Sequence, residues 1–322
     1  MRDSGSEVHT SSRLGQQRPS DLYQRITDQV IEMLDVGVVP WRSPILGRSA
    51  ALHPRNLNTG KPYRGVNVFL LAFTAYAKNY ESAYWLTFKQ ALERGGNVRR
   101  GEKSSMVVFW KPYEVKDRET GEIKKVPVLR YYNVFNCDQC ENVPASDAPK
   151  YTPTPFNPIE AADAIVKRYK DGPTIEYGGS QAFYRPSTDT VHIPNATRFT
   201  SNEEFYGTIF HEESHSTGHS TRLNRGLDTD TRPFGSPDYG KEELIAEMSA
   251  AFLCGHAGIY PAVVQNSVAY ISGWLGVLKK DKKLVIAAAG QGQRSADWIL
   301  GVKPEASDAE QVAPTVQGPM SV

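Results

Sequence analysis

Apolar residues recur at helical spacing from the first ordered stretch onward. Leu22, Ile26, Val30 and Met33 with Leu34 predict a helix over Asp21 to Asp35, capped by Asp21 and ended by Pro40-Trp41. A second helical pattern covers Val66 to Asn79, and Tyr84 to Phe88 lead into a short helix stopped at Gly95-Gly96. Strand-like runs follow at Met106 to Trp110, Val126 to Tyr132 and Val134-Phe135, with turn residues at Glu119-Thr120-Gly121. Beyond a proline-rich stretch the pattern is mainly helical. It predicts helices at Ile159 to Lys170, from Asn202 onward and over Lys241 to Cys254, with two more filling 261 to 300. Short strands are expected at Ala182 to Arg185 and Thr190 to Pro194. The fold class is therefore α+β in two domains.

The boundaries come from composition. Residues 1–19 are polar and read as a disordered leader. Residues 20–145 form the first domain and 146–158 a linker, since Pro144, Pro149, Pro153, Pro155 and Pro158 crowd that region. Residues 159–302 form the second domain, and 303–322 a disordered tail. No apolar run is long enough to span a membrane and the leader lacks a signal-peptide core, so the expected compartment is cytoplasmic. Three cysteines give no disulfide framework, and Cys137 with Cys140 reads as two ordinary thiols.

Net charge is +1, but it is unevenly placed. Residues 1–150 hold 22 Lys and Arg against 16 Asp and Glu, leaving 15 against 20 for the rest. The first half is suited to a polyanion.

Candidate chemistry concentrates in HEESH at His211 to His215. On a helix, His211 and His215 project from one face a turn apart, as two nitrogen ligands of one tetrahedral divalent metal should. Glu212 beside them is placed to act as general base on a metal-activated water. A third ligand is required. The segment HEESHSTGHSTRL has Gly218 where a metzincin would, but Thr221 stands at the third-histidine position and His219 comes two residues early. A glutamate from a later helix is the alternative, and KEELIAEMSAAFL offers Glu242, Glu243 and Glu247. We expect Glu243 to be the ligand and Glu247 to orient a ligand histidine, with the reverse assignment open. Zinc is the first expectation for the metal and manganese the second. The strand at Thr190 to Pro194 is a candidate edge for an extended peptide substrate. His192 on it reads as an ordinary histidine. Tyr184 and Tyr239 could each stabilise an oxyanion, and nothing in the sequence selects between them.

In the basic half, cations alternate with aromatic residues, a combination suited to single-stranded nucleic acid. The candidate contacts are Trp41, Lys61, Tyr63, Arg64, Asn67, Trp85, Gln90, Arg99, Arg100, Lys103, Trp110 and Tyr132.

Five segments carry a resemblance. NTGKPYRGVN, WLTFKQALERGGNVRRGEKS, YYNVFNCDQ, HEESHSTGHSTRLNR and YGKEELIAEMSAAFL, in that order, resemble the ArdC family of antirestriction proteins over about Asp21 to Leu300. Related first domains accompany plasmid primases of the TraC type. The resemblance implies an N-terminal domain that binds single-stranded DNA, and a C-terminal zincin-like metallopeptidase domain with His211, Glu212, His215, Glu243 and Glu247 in its motif positions. It implies a role on mobile elements in protecting incoming DNA from host restriction. A host restriction-system protein or another peptide would then be the second partner. Two rival expectations stand beside it: a strand-coating protein whose metal is structural, and a regulatory metalloprotease that uses DNA as a scaffold. Glu213 and Ser214 depart from the apolar residues more usual inside such a motif, which questions how deeply its helix is buried.

Overall fold

The computed structural model describes residues 19–41, 53–116, 122–143, 158–227, 237–259, 268–305 and 311. All of the expected leader but Pro19, all of the expected linker but Pro158, and most of the expected tail lie outside the described residues; Pro19 and Pro158 are the first residues of helices.

The N-terminal half opens with helix α1 (Pro19–Asp35), whose apolar stripe Leu22, Ile26, Val30 and Leu34 is fully buried. After strand β1 (Arg55–Asn56) comes α2 (Val66–Lys78), then β2 (Tyr84–Leu86) and α3 (Phe88–Glu93). Helix α3 starts at a reciprocal cap: Thr87 accepts from the Gln90 amide and the Gln90 side chain accepts from the Thr87 amide. Strand β3 (Asn97–Val98) precedes a long hairpin of β4 (Ser105–Lys116) and β5 (Ile123–Asn136), followed by β6 (Cys140–Glu141). The sheet runs β1-β2-β5-β4, so β4 lies at an edge, and β3 pairs with β6 separately. The separate short strands expected from the sequence are thus one hairpin in continuous register from Ser105↔Val134 to Lys116↔Ile123. Asn67 covers part of the open edge: its amide donates to the Val108 carbonyl and accepts from the Val108 N–H, both at 2.8 Å.

The C-terminal half contains α4 (Pro158–Arg168), a sheet of β7 (Thr174–Tyr177), β8 (Phe183–Arg185) and β9 (Thr190–Ile193), then α5 (Asn202–Ser216), α6 (Pro237–Ala257), α7 (Val268–Leu278) and α8 (Leu284–Leu300). Strand β7, with only four residues and no clean alternation, was not foreseen. The sheet order is β7-β9-β8. The strand read as a substrate edge, Thr190 to Pro194, is therefore central and has both backbone edges satisfied; the free edges are β7 and β8. Gly292 lets α8 lie directly on α6, because a Cβ there would stand 3.0 Å from the Ile245 carbonyl and the Ser249 amide.

One apolar core runs through both halves. Leu22, Ile26, Phe69 and Val108 belong to the same buried cluster as Phe210, Leu244, Met248, Phe252 and Ala289. Phe69 stacks on Phe252 with centroids 5.0 Å apart, and Trp41 meets Trp274 edge-on at 5.8 Å. Polar contacts reinforce the seam. Arg64 pairs with Asp297, the Gly65 amide donates to Gln293, and Thr27 donates to the Lys282 carbonyl. Two residues of the expected tail also reach across: Glu305 pairs with Lys61, and Gln311 accepts from the Arg64 amide. No described helix is long and apolar enough to cross a membrane.

Candidate metal centre

Helix α5 begins at Ser201, whose hydroxyl accepts from the Glu204 amide, and ends just past His215. Ile209 and Phe210 anchor it in two different buried clusters, which fixes the rotation of the helix and the direction of His211 and His215. The doubt raised by Glu213 and Ser214 is resolved in favour of deep burial: they are 1% and 0% exposed. Ser214 returns its hydroxyl to the Phe210 carbonyl at 2.6 Å. Glu213 has a buried oxygen without a hydrogen-bond partner among the described residues, and burial pushes its pKa well above the ordinary carboxylate range.

The His211 and His215 Nε2 atoms are 3.2 Å apart. Glu243 from α6 places one carboxylate oxygen 3.5 Å from His211 Nε2 and the other 3.5 Å from His215 Nε2. Ligands about 2.0–2.1 Å from a tetrahedral zinc lie roughly 3.3–3.4 Å from each other, so this donor set matches the edges of such a polyhedron. Among the described residues these three alone form a His/Cys/Asp/Glu group of that compactness. Burial by itself would lower the His211 pKa. The hydrogen bond to Glu243 and the charges of Glu247, Glu212 and Glu243 overcome it and raise the value to about 9. A cation is thus favoured at this spot. Glu212 lies on the same helix and is buried. Tyr239 is hydrogen-bonded to Glu243, and desolvation with that neighbouring charge raises its pKa to about 12, so it stays protonated and able to donate. Tyr184 is elsewhere: its hydroxyl donates to Asp189 at 2.8 Å.

The partner of His215 is one that sequence reasoning missed. Glu242, not Glu247, faces its Nδ1, at 3.4 Å. Arg225 holds the same carboxylate with two nitrogens, at 2.6 and 3.0 Å, and also donates to the Ser214 carbonyl and to Thr217 and Ser295. Burial would raise the Glu242 pKa, but the Arg225 charge and the hydrogen bonds from His215 and Arg225 bring it down to about 2. Glu247, also buried, acts on His211 through its charge. Gly218 has a steric purpose here, since a Cβ would fall 2.4 Å from Leu227 in the turn that returns Arg225 to the helix. His192 is a sheet residue: it stacks on Phe183 and pairs with Glu176. Cys137 and Cys140 are free thiols whose pKa values burial raises.

The expected strand-binding residues divide sharply. Trp41, Tyr63 and Trp85 are 4%, 3% and 1% exposed, and Asn67 is fully buried at the edge of β4. Arg64 is committed to Asp297 and Lys61 to Glu305, while Gln90 belongs to the α3 cap. Trp110 is half-buried against Tyr23. Burial in the fold and the seam corrects the reading of Trp41, Tyr63, Arg64, Asn67 and Trp85 as DNA contacts, while Lys61, Gln90 and Trp110 are only partly buried. Arg99, bound to the Asp138 carbonyl and Glu102, is exposed, as are Arg100, Lys103 and Tyr132. Tyr113, further along the hairpin and more exposed than Tyr132, was overlooked because it lies beyond the expected strand end.

Comparison with known proteins agrees with this architecture. Residues 20–135 match the N-terminal domain of anti-restriction factor ArdC, and residues 160–291 match a zincin-like metallopeptidase family. An uncharacterised protein, y4eC, of Sinorhizobium fredii is 33% identical over 91% of this chain and 96% of its own length. The DNA primase TraC of Escherichia coli is 33% identical over 86% of this chain, which spans only 27% of that primase. Two crystal structures of the antirestriction protein ArdC from plasmid R388 cover 87% of the chain. The metal-free form has 39% identity and a TM-score of 0.69, and the Mn(II)-bound form 37% and 0.70. The chain spans 96% and 97% of those two structures, and it belongs to the ArdC antirestriction family.

Proposed function

We propose that this protein binds single-stranded DNA of a mobile element, carries one divalent metal on His211, His215 and Glu243, and uses a peptidase site to protect that DNA from host restriction. The observation that carries the catalytic half is the compact donor set with a buried glutamate and a protonated tyrosine beside it. When bound, the metal would acidify a water and polarise a carbonyl. Glu212 accepts the proton of the attacking water and delivers it to the leaving amine. Tyr239, whose hydroxyl donates to Glu243, would turn from that carboxylate to donate to the oxyanion that develops on the substrate carbonyl. Arg225 and Glu242 keep His215 in the tautomer that presents Nε2. Zinc suits the donor set, and the Mn(II)-bound R388 relative supports manganese as an alternative. The substrate is a peptide, with a restriction-system subunit as the first protein to test. DNA binding is supported by the N-terminal family match and by the likeness to part of a DNA primase.

The experiment is an antirestriction assay on Glu212→Gln with metal content measured in parallel. Loss of protection with metal and DNA affinity retained supports hydrolysis. Full protection by the variant would instead support the rival in which the strand is merely coated and the metal is structural.

A further inference from the structure

We infer that a cavity in the N-terminal half, enclosed by α1, α2 and the turn before β4, takes one unstacked nucleotide. The inference rests on the single-stranded DNA reading and gives it a place. With Trp41, Tyr63 and Trp85 in the interior, bases must be held by something other than the tryptophan-rich segments. The cavity has a volume of about 380 Å³. That lies near the lower bound of small-ligand sites, roughly 300 Å³, and suits one nucleotide rather than several.

Its walls offer each part of that ligand a partner. Phe73 and Tyr80, both half-buried, present ring surface to a base. Gln29 and Glu32 on α1 supply an amide and a carboxylate, able to donate to ring carbonyls and accept from exocyclic amines. Among the described residues neither side chain makes a hydrogen bond or ion pair. Lys78 and Lys103 stand in the same wall for the phosphate, and Lys103 is exposed with no ion pair among the described residues. Glu32 and Glu102 balance those two lysines in number, although Glu102 is already bound by Arg99 and Gln139. The turn that brings Lys103 to the cavity passes through Gly101 at φ 92°, a conformation that side chains resist, with open space where a Cβ would stand. A paired base cannot enter such a site without leaving its duplex, so the cavity discriminates for single strands.

The test uses the full-length protein and a fluorescently labelled oligothymidylate. Thr74→Trp fills the cavity from α2, and Lys103→Glu reverses a charge at its exposed wall. We expect Thr74→Trp to weaken strand binding at least tenfold, and Lys103→Glu to weaken it while lowering the salt slope by about one unit. Thermal midpoints are measured beside each, and Gln29→Ala replaces Thr74→Trp if the tryptophan unfolds the protein. Free thymidine monophosphate is added as competitor. Competition that Thr74→Trp abolishes would show that the site also accepts free nucleotide; no competition, with strand binding still lost in the variant, would restrict it to nucleotides in a strand. Parent-like strand binding by folded variants overturns the cavity while leaving DNA binding intact. No strand binding by the parent overturns both.

Discussion

At the residue scale the proposed metal site rests on three side chains and their supports, and the supports differ in what they should do when removed. Glu243→Ala deletes a donor and should abolish stoichiometric metal, whereas Glu247→Ala should reduce affinity without abolishing it; metal analysis after dialysis distinguishes them. Glu212→Gln should leave metal content unchanged. Glu242 makes a different kind of prediction. Its folded pKa of about 2 lies below the ordinary value of 4.5, so its contribution to stability is complete above pH 4.5 and is lost as pH falls toward 2. Glu242→Gln should therefore lower the midpoint of thermal unfolding at neutral pH and flatten its fall over that acid range. An unchanged acid limb would show that the Arg225 pair contributes nothing to stability.

His211 and His215 were legible as neighbours because helix geometry alone brings i and i+4 together, and Glu243 was expected as one of three glutamates on a later helix, from which the fold brings it to them. Arg225 and Glu242 were not. Their pairing depends on a turn between two helices, and no local pattern announces it. The exposed-aromatic reading failed for a related reason. Tyr63-Arg64-Gly65 looks like a nucleic-acid loop in isolation, but α8 from the other half covers it and turns Arg64 into a buried partner of Asp297.

At the element scale, α6 and α8 share the most extensive helix–helix contact among the described residues. Gly292→Ala would press a methyl group against the Ile245 carbonyl and the Ser249 amide, and we expect a loss of about 1–3 kcal/mol by chemical denaturation. Helix periods were recovered well from sequence: α1, α2 and α5 start and end within a few residues of expectation. The strands were recovered less well. A run such as Lys111 to Lys116 has little apolar content, and it is strand because β5 pairs with it over the whole length. Pairing partners are non-local information, which also explains why β9 was mistaken for an edge.

At the scale of the whole molecule, the sequence pattern and the proline-rich stretch pointed to two domains joined by a linker. The family matches do divide there, yet the core does not. A fragment of residues 20–145 would present Phe69, Trp41 and the inner face of α1 to water. It should show broad, weakly cooperative unfolding and a tendency to associate, in contrast to a single sharp transition for the full chain. Calorimetry decides this, and two resolved transitions in the full chain would count against it. Truncation is accordingly a poor way to assign DNA binding to one half; point variants at exposed residues are the better instrument.

The stacking of Phe69 on Phe252 bears on inheritance as well as stability. A recombination event that took the metal-bearing half alone would strand an oily helix face with nothing to cover it, and a swapped partner would need a ring of matching size and tilt. The likeness to TraC spans 86% of this chain, through both halves at once, as expected if the seam makes the two halves pass from gene to gene as one block.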